Sequence, residues 1–302
     1  MKPRLAFFVG DPNGVGPELS AKLLARPETS AAADVRVFGD RRLLDSVTEV
    51  VPGLDPAALT PGKANPAAGR WVVEALTAMA HAARRREVDG IVFAPLNKQA
   101  MKLGGLPYND EQHLFAELLQ AEGYSVEFNV IDGLWTSRVT SHIPLKDVAG
   151  AISRKGVLDA VRIIHDALRR GGNARPRIAV AGLNPHAGEG GTMGSEEIDI
   201  IAPAVEEARH SGMHVSGPLP ADTIFVAARR GDFDAVVTMY HDQGQIAMKL
   251  MGFDRGVTVL GGLPVPIATC AHGTAYDIVG RNCANPVPLA NAFELAVRMA
   301  SL

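Results

Sequence analysis

Cysteine is nearly missing from this chain: Cys270 and Cys283 are the only two in 302 residues. Two thiols thirteen positions apart build no disulfide framework, and without a Cys-x-x-Cys there is no thiolate zinc site. This usage fits a reducing compartment. Aromatic residues make up only 5%, so most of the core has to be filled by aliphatic side chains. Charge of either sign is not in surplus: the formal net charge is −3. That balance offers nothing to draw a polyanion, and nucleic acid is not an expected partner. The one dense basic cluster, Arg84-Arg85-Arg86, closes a helical pattern and reads as a solvated last turn. No stretch approaches the ~20 apolar residues of a membrane span. The apolar run at 5–9 stops at Gly10-Asp11, too short for a secretory leader, and the expected location is the cytoplasm.

What the chain has in plenty is aliphatic surface. Hydrophobic residues reach 47%, enough for one large core or two smaller ones. Apolar runs of strand length fall at 5–9, 34–38, 88–95, 126–131, 177–183 and 234–240. Segments of helical period lie between and after them, at 16–25, 67–86, 113–121, 156–168, 196–210 and 289–299. Strand alternating with helix predicts an α/β fold with a largely parallel sheet. Residues 125–140 hold two strand-like runs around an Asp132-Gly133 turn signal, which predicts a hairpin. The Pro-, Gly- and Ala-rich stretch 51–67 reads as an irregular connection.

The histidines divide into two kinds. His81, His165, His210 and His214 fall on or beside predicted helices and read as structural. His142, His186 and His241 each follow the end of a predicted strand, where open α/β sheets bind ligands. Neutral imidazole is the commonest metal ligand, and three imidazoles plus water make an open, catalytic site. Spacing alone leaves two readings open: a metal site, or three loop histidines without one. Asn184, Asp242 and Gln243 stand beside them as polar groups able to orient the rings.

A second constellation runs His272-Gly273-Thr274-Ala275-Tyr276-Asp277-Ile278-Val279-Gly280, then Ala284-Asn285-Pro286. It is similar to the adenosine-binding loop of isopropylmalate and isocitrate dehydrogenases. Small residues there let the backbone approach a cofactor, and polar ones bond adenine and ribose. Further motifs stand in order: Gly10-Asp11-Pro12-Asn13-Gly14-Val15-Gly16-Pro17-Glu18, Ser141-His142-Ile143-Pro144-Leu145, the Gly-rich run 182–191, Gly217-Pro218-Leu219-Pro220-Ala221-Asp222-Thr223, and Tyr240-His241-Asp242-Gln243-Gly244. Together they resemble the 4-hydroxythreonine-4-phosphate dehydrogenase family from residue 5 to the C-terminus.

The resemblance implies an isopropylmalate-dehydrogenase-like fold: a single catalytic unit, 1–302, of two interleaved α/β subdomains with a cleft between them. It implies a homodimer with a shared active site. One divalent metal (Zn, Mg, Mn or Co) would be held by His142, His186 and His241, with one ligand from the partner. NAD or NADP would lie against His272, Gly273, Thr274, Ala275, Asp277 and Asn285. Lys98 and Lys249 match family lysines and, with Asp242, are the expected catalytic residues; Lys249 matches one that also contacts substrate.

The substrate shell departs from the family. After Gly105-Leu106-Pro107, a family Gly-His-Thr becomes Asp110-Glu111-Gln112, a substrate Asn becomes Thr258, and a substrate Arg becomes Ile267. Losing an Arg removes a bidentate anion clamp, and gaining Glu111 adds repulsion against phosphate. His113, next to the altered motif, is a possible substitute donor. The expected activity is therefore NAD(P)-dependent oxidation of a small β-hydroxy acid, followed by decarboxylation, in a paralogue with an altered pocket. Two alternatives stand beside it: the pyridoxine-biosynthetic dehydrogenase itself, and a non-catalytic metal- or nucleotide-binding protein.

Overall fold

The computed structural model describes residues 1–301. Its strands, in chain order, are β1 (Arg4–Phe8), β2 (Asp34–Gly39), β3 (Glu49–Val50), β4 (Gly90–Phe93), β5 (Val126–Ile131) and β6 (Leu134–Arg138). They continue as β7 (Arg177–Ala181), β8 (His214–Leu219), β9 (Ala235–Thr238), β10 (Val257–Gly261) and β11 (Ile267–Cys270). The chain forms two compact units: residues Met1–Ser125 with those from Asp254 onward, and Val126–Phe253.

In the first unit the strand order is β3-β2-β1-β4-β11-β10. All neighbours are parallel except β10 and β11. Leu5, Ala6, Phe7 and Phe8 of β1 are fully buried, as a central parallel strand covered on both faces requires. Each large side chain of that run contributes ~1.5–3 kcal/mol by leaving water. The helix Pro66–Arg84 starts where the Asn65 side chain accepts from the Ala67 and Ala68 amides, with Pro66 preset for the first turn. Its inner face carries Trp71, Val72, Ala75, Leu76 and Met79.

Gly69 lies on this helix where it crosses the short helix Lys98–Leu103. A Cβ at Gly69 would overlap the backbone carbonyl of Ala100. Backbone on both sides cannot yield as a flexible side chain could. Gly69→Ala is therefore expected to cost roughly 2–3 kcal/mol, enough to lower Tm by about 5–10 °C in thermal denaturation. An unchanged Tm would show that the two helices are free to part.

In the second unit the order is β5-β6-β9-β7-β8, with β5 and β6 an antiparallel hairpin and the rest parallel. The expected turn at Asp132-Gly133 is present, with both residues at positive φ. The helix Arg154–Arg170 is capped by the Ser153 hydroxyl accepting from the Gly156 amide. Ala179, Ala181, Val236, Ile224 and Met248 meet in the core between sheet and helices.

Most elements read from the sequence are present, within a few residues. Several differences have physical causes. The helix expected at 113–121 starts at Glu111, because the Asp110 carboxylate accepts from the His113 amide and caps it. The helix expected at 196–210 opens with a π-helical turn, Glu197–Ile201, before Ala202–His210. His214 begins β8 rather than flanking a helix. Strands β8, β10 and β11 and the helices Ala221–Arg229 and His241–Gly252 had no clear periodicity to announce them. The stretch 51–67 is irregular as expected, apart from a 3-10 turn at Pro56–Ala58.

Candidate active site

Two of the three strand-end histidines meet. The Thr140 amide and hydroxyl both donate to the Met239 carbonyl, at 3.1 and 2.8 Å, tying the end of β6 to the end of β9. Buried Arg138 donates to the Ser141 hydroxyl at 2.8 Å and to Glu127 at 3.2 Å, setting the turn that follows. His142 and His241 are thereby brought to 5.5 Å between ring centroids. Both line a cavity of about 390 Å³, with Thr140, Ser141, Ile143 and Tyr240. The His241 Nδ1 lies 2.7 Å from the Asp242 carboxylate, a contact that orients the ring and leaves Nε2 without that partner.

The pair fits a shared cation. At a tetrahedral metal with N at ~2.1 Å, two ring centroids stand roughly 5 Å apart. His186 does not line the cavity. Among the described residues, no group of three or more His, Cys, Asp or Glu side chains is placed to hold a metal.

His186 sits in an unusual loop. Residues 186–190 all have positive φ, at 52°, 52°, 80°, 43° and 65°, and three of the five are not glycine. His142 is also left-handed, at 51°. Left-handed backbone costs a non-glycine residue about 1–2 kcal/mol, and such strain persists where the surroundings impose it.

In the first unit, the segment expected to bind a cofactor is anchored to the loop after β1. The Val15 amide donates to the Thr274 carbonyl at 3.0 Å, and a Cβ on Gly14 would strike the Thr274 side chain. Lys22 donates to the Asn282 and Ala284 carbonyls, and Glu18 accepts from the Ala284 amide. The Tyr276 hydroxyl donates to buried Asp11 at 2.7 Å. Burial pushes the Asp11 carboxyl above its ordinary range, against the bond from Tyr276. The Tyr276 phenol is also raised, by burial first and by Asp11 second. Ala275 is left-handed (φ 43°). Gly273 and Asp277 are exposed, Thr274 is buried, and His272 is half-buried with its Nδ1 3.0 Å from the Gly273 carbonyl. The Asn285 amide is spoken for: it donates to the Asp254 carbonyl and accepts from the Val287 amide.

The residues expected to shape the substrate pocket also have definite places. Asp110, Glu111 and Gln112 are all buried. The Lys98 ammonium stands 3.5 Å from the Glu111 carboxylate, so that carboxylate is not an uncompensated charge. Burial pushes the Asp110 carboxyl up, but bonds from the His113 ring and amide and the charge of Lys98 outweigh it and hold it below its usual range. The His113 ring is held through Nδ1, 2.6 Å from the Asp110 carboxylate, and its side chain is half exposed. Thr258 is half-buried in β10. Ile267 is fully enclosed in β11 and presents no surface to a ligand. Lys249 is exposed on the helix that begins at His241. The sequence reading missed Arg138, Thr140 and Glu197, because the burial and the partners that define their roles arise only in the folded chain.

Residues 14–296 match the family described as pyridoxal phosphate biosynthetic protein PdxA. The chain belongs to that family. A Pseudomonas aeruginosa protein, whose name assigns it provisionally as a second 4-hydroxythreonine-4-phosphate dehydrogenase, is 49% identical over 98% of this chain and 97% of its own. The crystal structure of 4-hydroxythreonine-4-phosphate dehydrogenase from Klebsiella pneumoniae superposes with a TM-score of 0.86 at 35% identity, covering 100% of this chain and 99% of that one. A terephthalate 1,2-cis-dihydrodiol dehydrogenase from Burkholderia xenovorans gives 0.71 at 29%, covering 99% and 98%. An isocitrate dehydrogenase from Methylococcus capsulatus, at 15% identity and 0.52 over 98% and 85%, shares the fold alone. The named members are dehydrogenases, and this chain is an enzyme of that class. Among the described residues no helix is long and apolar enough to cross a membrane.

Proposed function

We propose that this enzyme oxidises a small β-hydroxy acid with NAD or NADP, that the product loses carbon dioxide, and that a divalent cation serves the reaction. The observation that carries the reading is the convergence of His142 and His241 on one cavity, in a member of a dehydrogenase family. The third ligand is His186 of the partner subunit, since His142 and His241 already stand together in one chain. The surface of the second unit supports a homodimer. Ile143, Leu145, Ile246 and Leu250, close in sequence to the paired histidines or on the helix that begins at His241, are 40%, 70%, 60% and 84% exposed. Apolar side chains grouped in this way mark an interaction surface.

When bound, the cation favours the ionised substrate hydroxyl and the oxyanion left by decarboxylation. A bound nicotinamide would supply the acceptor for the carbinol hydride, and the hydroxyl proton would pass to a base of this chain. Loss of carbon dioxide from the oxidised product would then require a group of this chain to return a proton to carbon. Asp242 holds the His241 ring. Lys249 and Lys98 are the candidates to carry these protons or to bind the substrate anion. The test is reduced-nicotinamide absorbance against a panel of β-hydroxy acids and cis-dihydrodiol carboxylates, with and without a chelator. Turnover that survives complete metal removal would sink the metal reading. No turnover on any substrate would favour a protein that binds without catalysing.

The cofactor is assigned to His272, Gly273, Thr274, Ala275, Asp277 and Asn285. Asp277 is the discriminating position, because its exposed side chain holds no part of the fold in place, whereas Asn285 does. Asp277→Ala is expected to raise the cofactor KM by about 10-fold or more, the worth of one lost hydrogen bond to a charged group, with metal content unchanged. An unaltered KM would move the cofactor elsewhere.

Substrate choice follows the departures at Asp110, Glu111, Gln112 and Thr258, and the replacement of an Arg by Ile267. They favour a paralogue that reads a different hydroxy acid from 4-phosphohydroxythreonine. The likeness to the dihydrodiol dehydrogenase makes a cyclic carboxylate one class to include in the panel.

A further inference from the structure

We infer that Glu197 is a positioning residue for His186, holding the left-handed loop that carries it. The inference rests on the metal reading above.

Glu197 is 3% exposed and opens the π-helical turn Glu197–Ile201. Its Oε1 accepts from the Leu183 and Asn184 amides, both at 2.7 Å, and its Oε2 accepts from the Asn184 side-chain amide at 3.0 Å. A Cβ on Gly188 would stand 2.7 Å from Oε2, and one on Gly182 would stand 3.1 Å from Oε1. The carboxylate is thus packed against both ends of the turn that presents His186. Glycine at those two places is what admits it.

The loop needs such a partner. Five consecutive left-handed residues lose the ordinary backbone pairing of strand or helix, and His186, Ala187 and Glu189 sit there against their own preference. The Ala187 amide finds the Asn184 carbonyl. Asn184 is gripped from both sides, by Glu197 and by Glu196 at 2.7 Å. A second link fixes the loop's base. The Gln243 amide donates to the Gly182 carbonyl at 2.8 Å while its oxygen accepts from the Met239 amide at 2.7 Å. That joins the end of β7, before His186, to the end of β9, before His241. A buried acceptor for three donors, at the start of a π-turn, sets where the His186 ring stands without touching it.

Removing a group that orients a metal ligand typically weakens metal binding about 10–100-fold. Glu197→Ala abolishes all three bonds. Glu197→Gln keeps two acceptor contacts and meets the Asn184 amide donor to donor, so its effect is intermediate. The probe is Co²⁺, titrated into the metal-stripped dimer and followed by its visible absorption, for wild type, His186→Ala, Glu197→Gln and Glu197→Ala. Amide hydrogen exchange over residues 183–190 is measured on the same proteins without metal. The expected result is Co²⁺ binding weakened about 10–100-fold in Glu197→Ala, less in Glu197→Gln, with exchange accelerated in that segment and unchanged in the first unit. Should Glu197→Ala fail to fold, Glu197→Gln carries both readouts. Binding and exchange like wild type in either variant, while His186→Ala loses the metal, would overturn the role of Glu197 and leave the metal site standing. Wild type that takes up no Co²⁺, or His186→Ala that binds it undiminished, would overturn the metal reading and this inference with it.

Discussion

Mixing His142→Ala subunits with His186→Ala subunits is expected to restore about a quarter of wild-type activity, although each variant alone is nearly inactive. Each loses one of three protein ligands, which drops activity by orders of magnitude. In the proposed dimer, a site takes His142 and His241 from one chain and His186 from the other. A mixed dimer therefore has one site with two ligands missing and one site complete. Random re-pairing makes about half of the dimers mixed, each with one working site of two, hence the quarter. The control is His142→Ala mixed with His241→Ala. Those two residues come from the same chain, 5.5 Å apart, so every site in every combination lacks one ligand and nothing is regained. Equal recovery in both mixtures, or recovery in neither, would mean that the site is not shared in this way.

The second large effect concerns substrate. With 4-phosphohydroxythreonine, kcat/KM is expected to lie at least ~30-fold below that for the preferred hydroxy acid. A phosphate carries close to two negative charges at neutral pH. The family resemblance implies an imidazole and a guanidinium toward the substrate at the positions that here hold Glu111 and Ile267. Glu111 acts twice over. Its carboxylate opposes the anion, and at 3.5 Å it engages the Lys98 ammonium that would otherwise attract it. Removing a partner from a buried, charge-assisted contact costs ~2–5 kcal/mol, and each ~1.4 kcal/mol is a factor of ten. Glu111→His should recover part of the activity on the phosphorylated substrate by releasing Lys98 and supplying a donor. Steady-state kinetics on both substrates decide it. A kcat/KM of ~10⁴ M⁻¹s⁻¹ or more with the phosphorylated substrate would assign this chain to the biosynthetic reaction instead.

Much of this was legible before the fold was known, for local reasons. Buried parallel strands are continuous apolar runs, so β1, β7 and β9 were visible to within a residue or two, and the hairpin strand β5 was visible from its alternating pattern and the Asp132-Gly133 turn. The histidines past those runs were therefore visible too. The segment 272–285 was visible because small and polar residues alternate in a recognisable order. Where periodicity is weak the reading stopped: β10 and β11 lie among Gly and Pro, and the helix that begins at His241 is short of apolar residues on a single face.

By itself the sequence determined the α/β class, the family and the position of three histidines past strand ends, since each is a matter of composition or nearest neighbours along the chain. Only the tertiary structure decided which strand ends are neighbours. The order β6-β9-β7 places Thr140 against Met239, and so His142 beside His241, across about a hundred residues of chain. It also decided that Ile267 is enclosed and that Glu197 anchors the loop of His186. These are pairings between distant residues. They exist only once hydrophobic burial has set the sheet order, and nothing in the spacing of the residues encodes them.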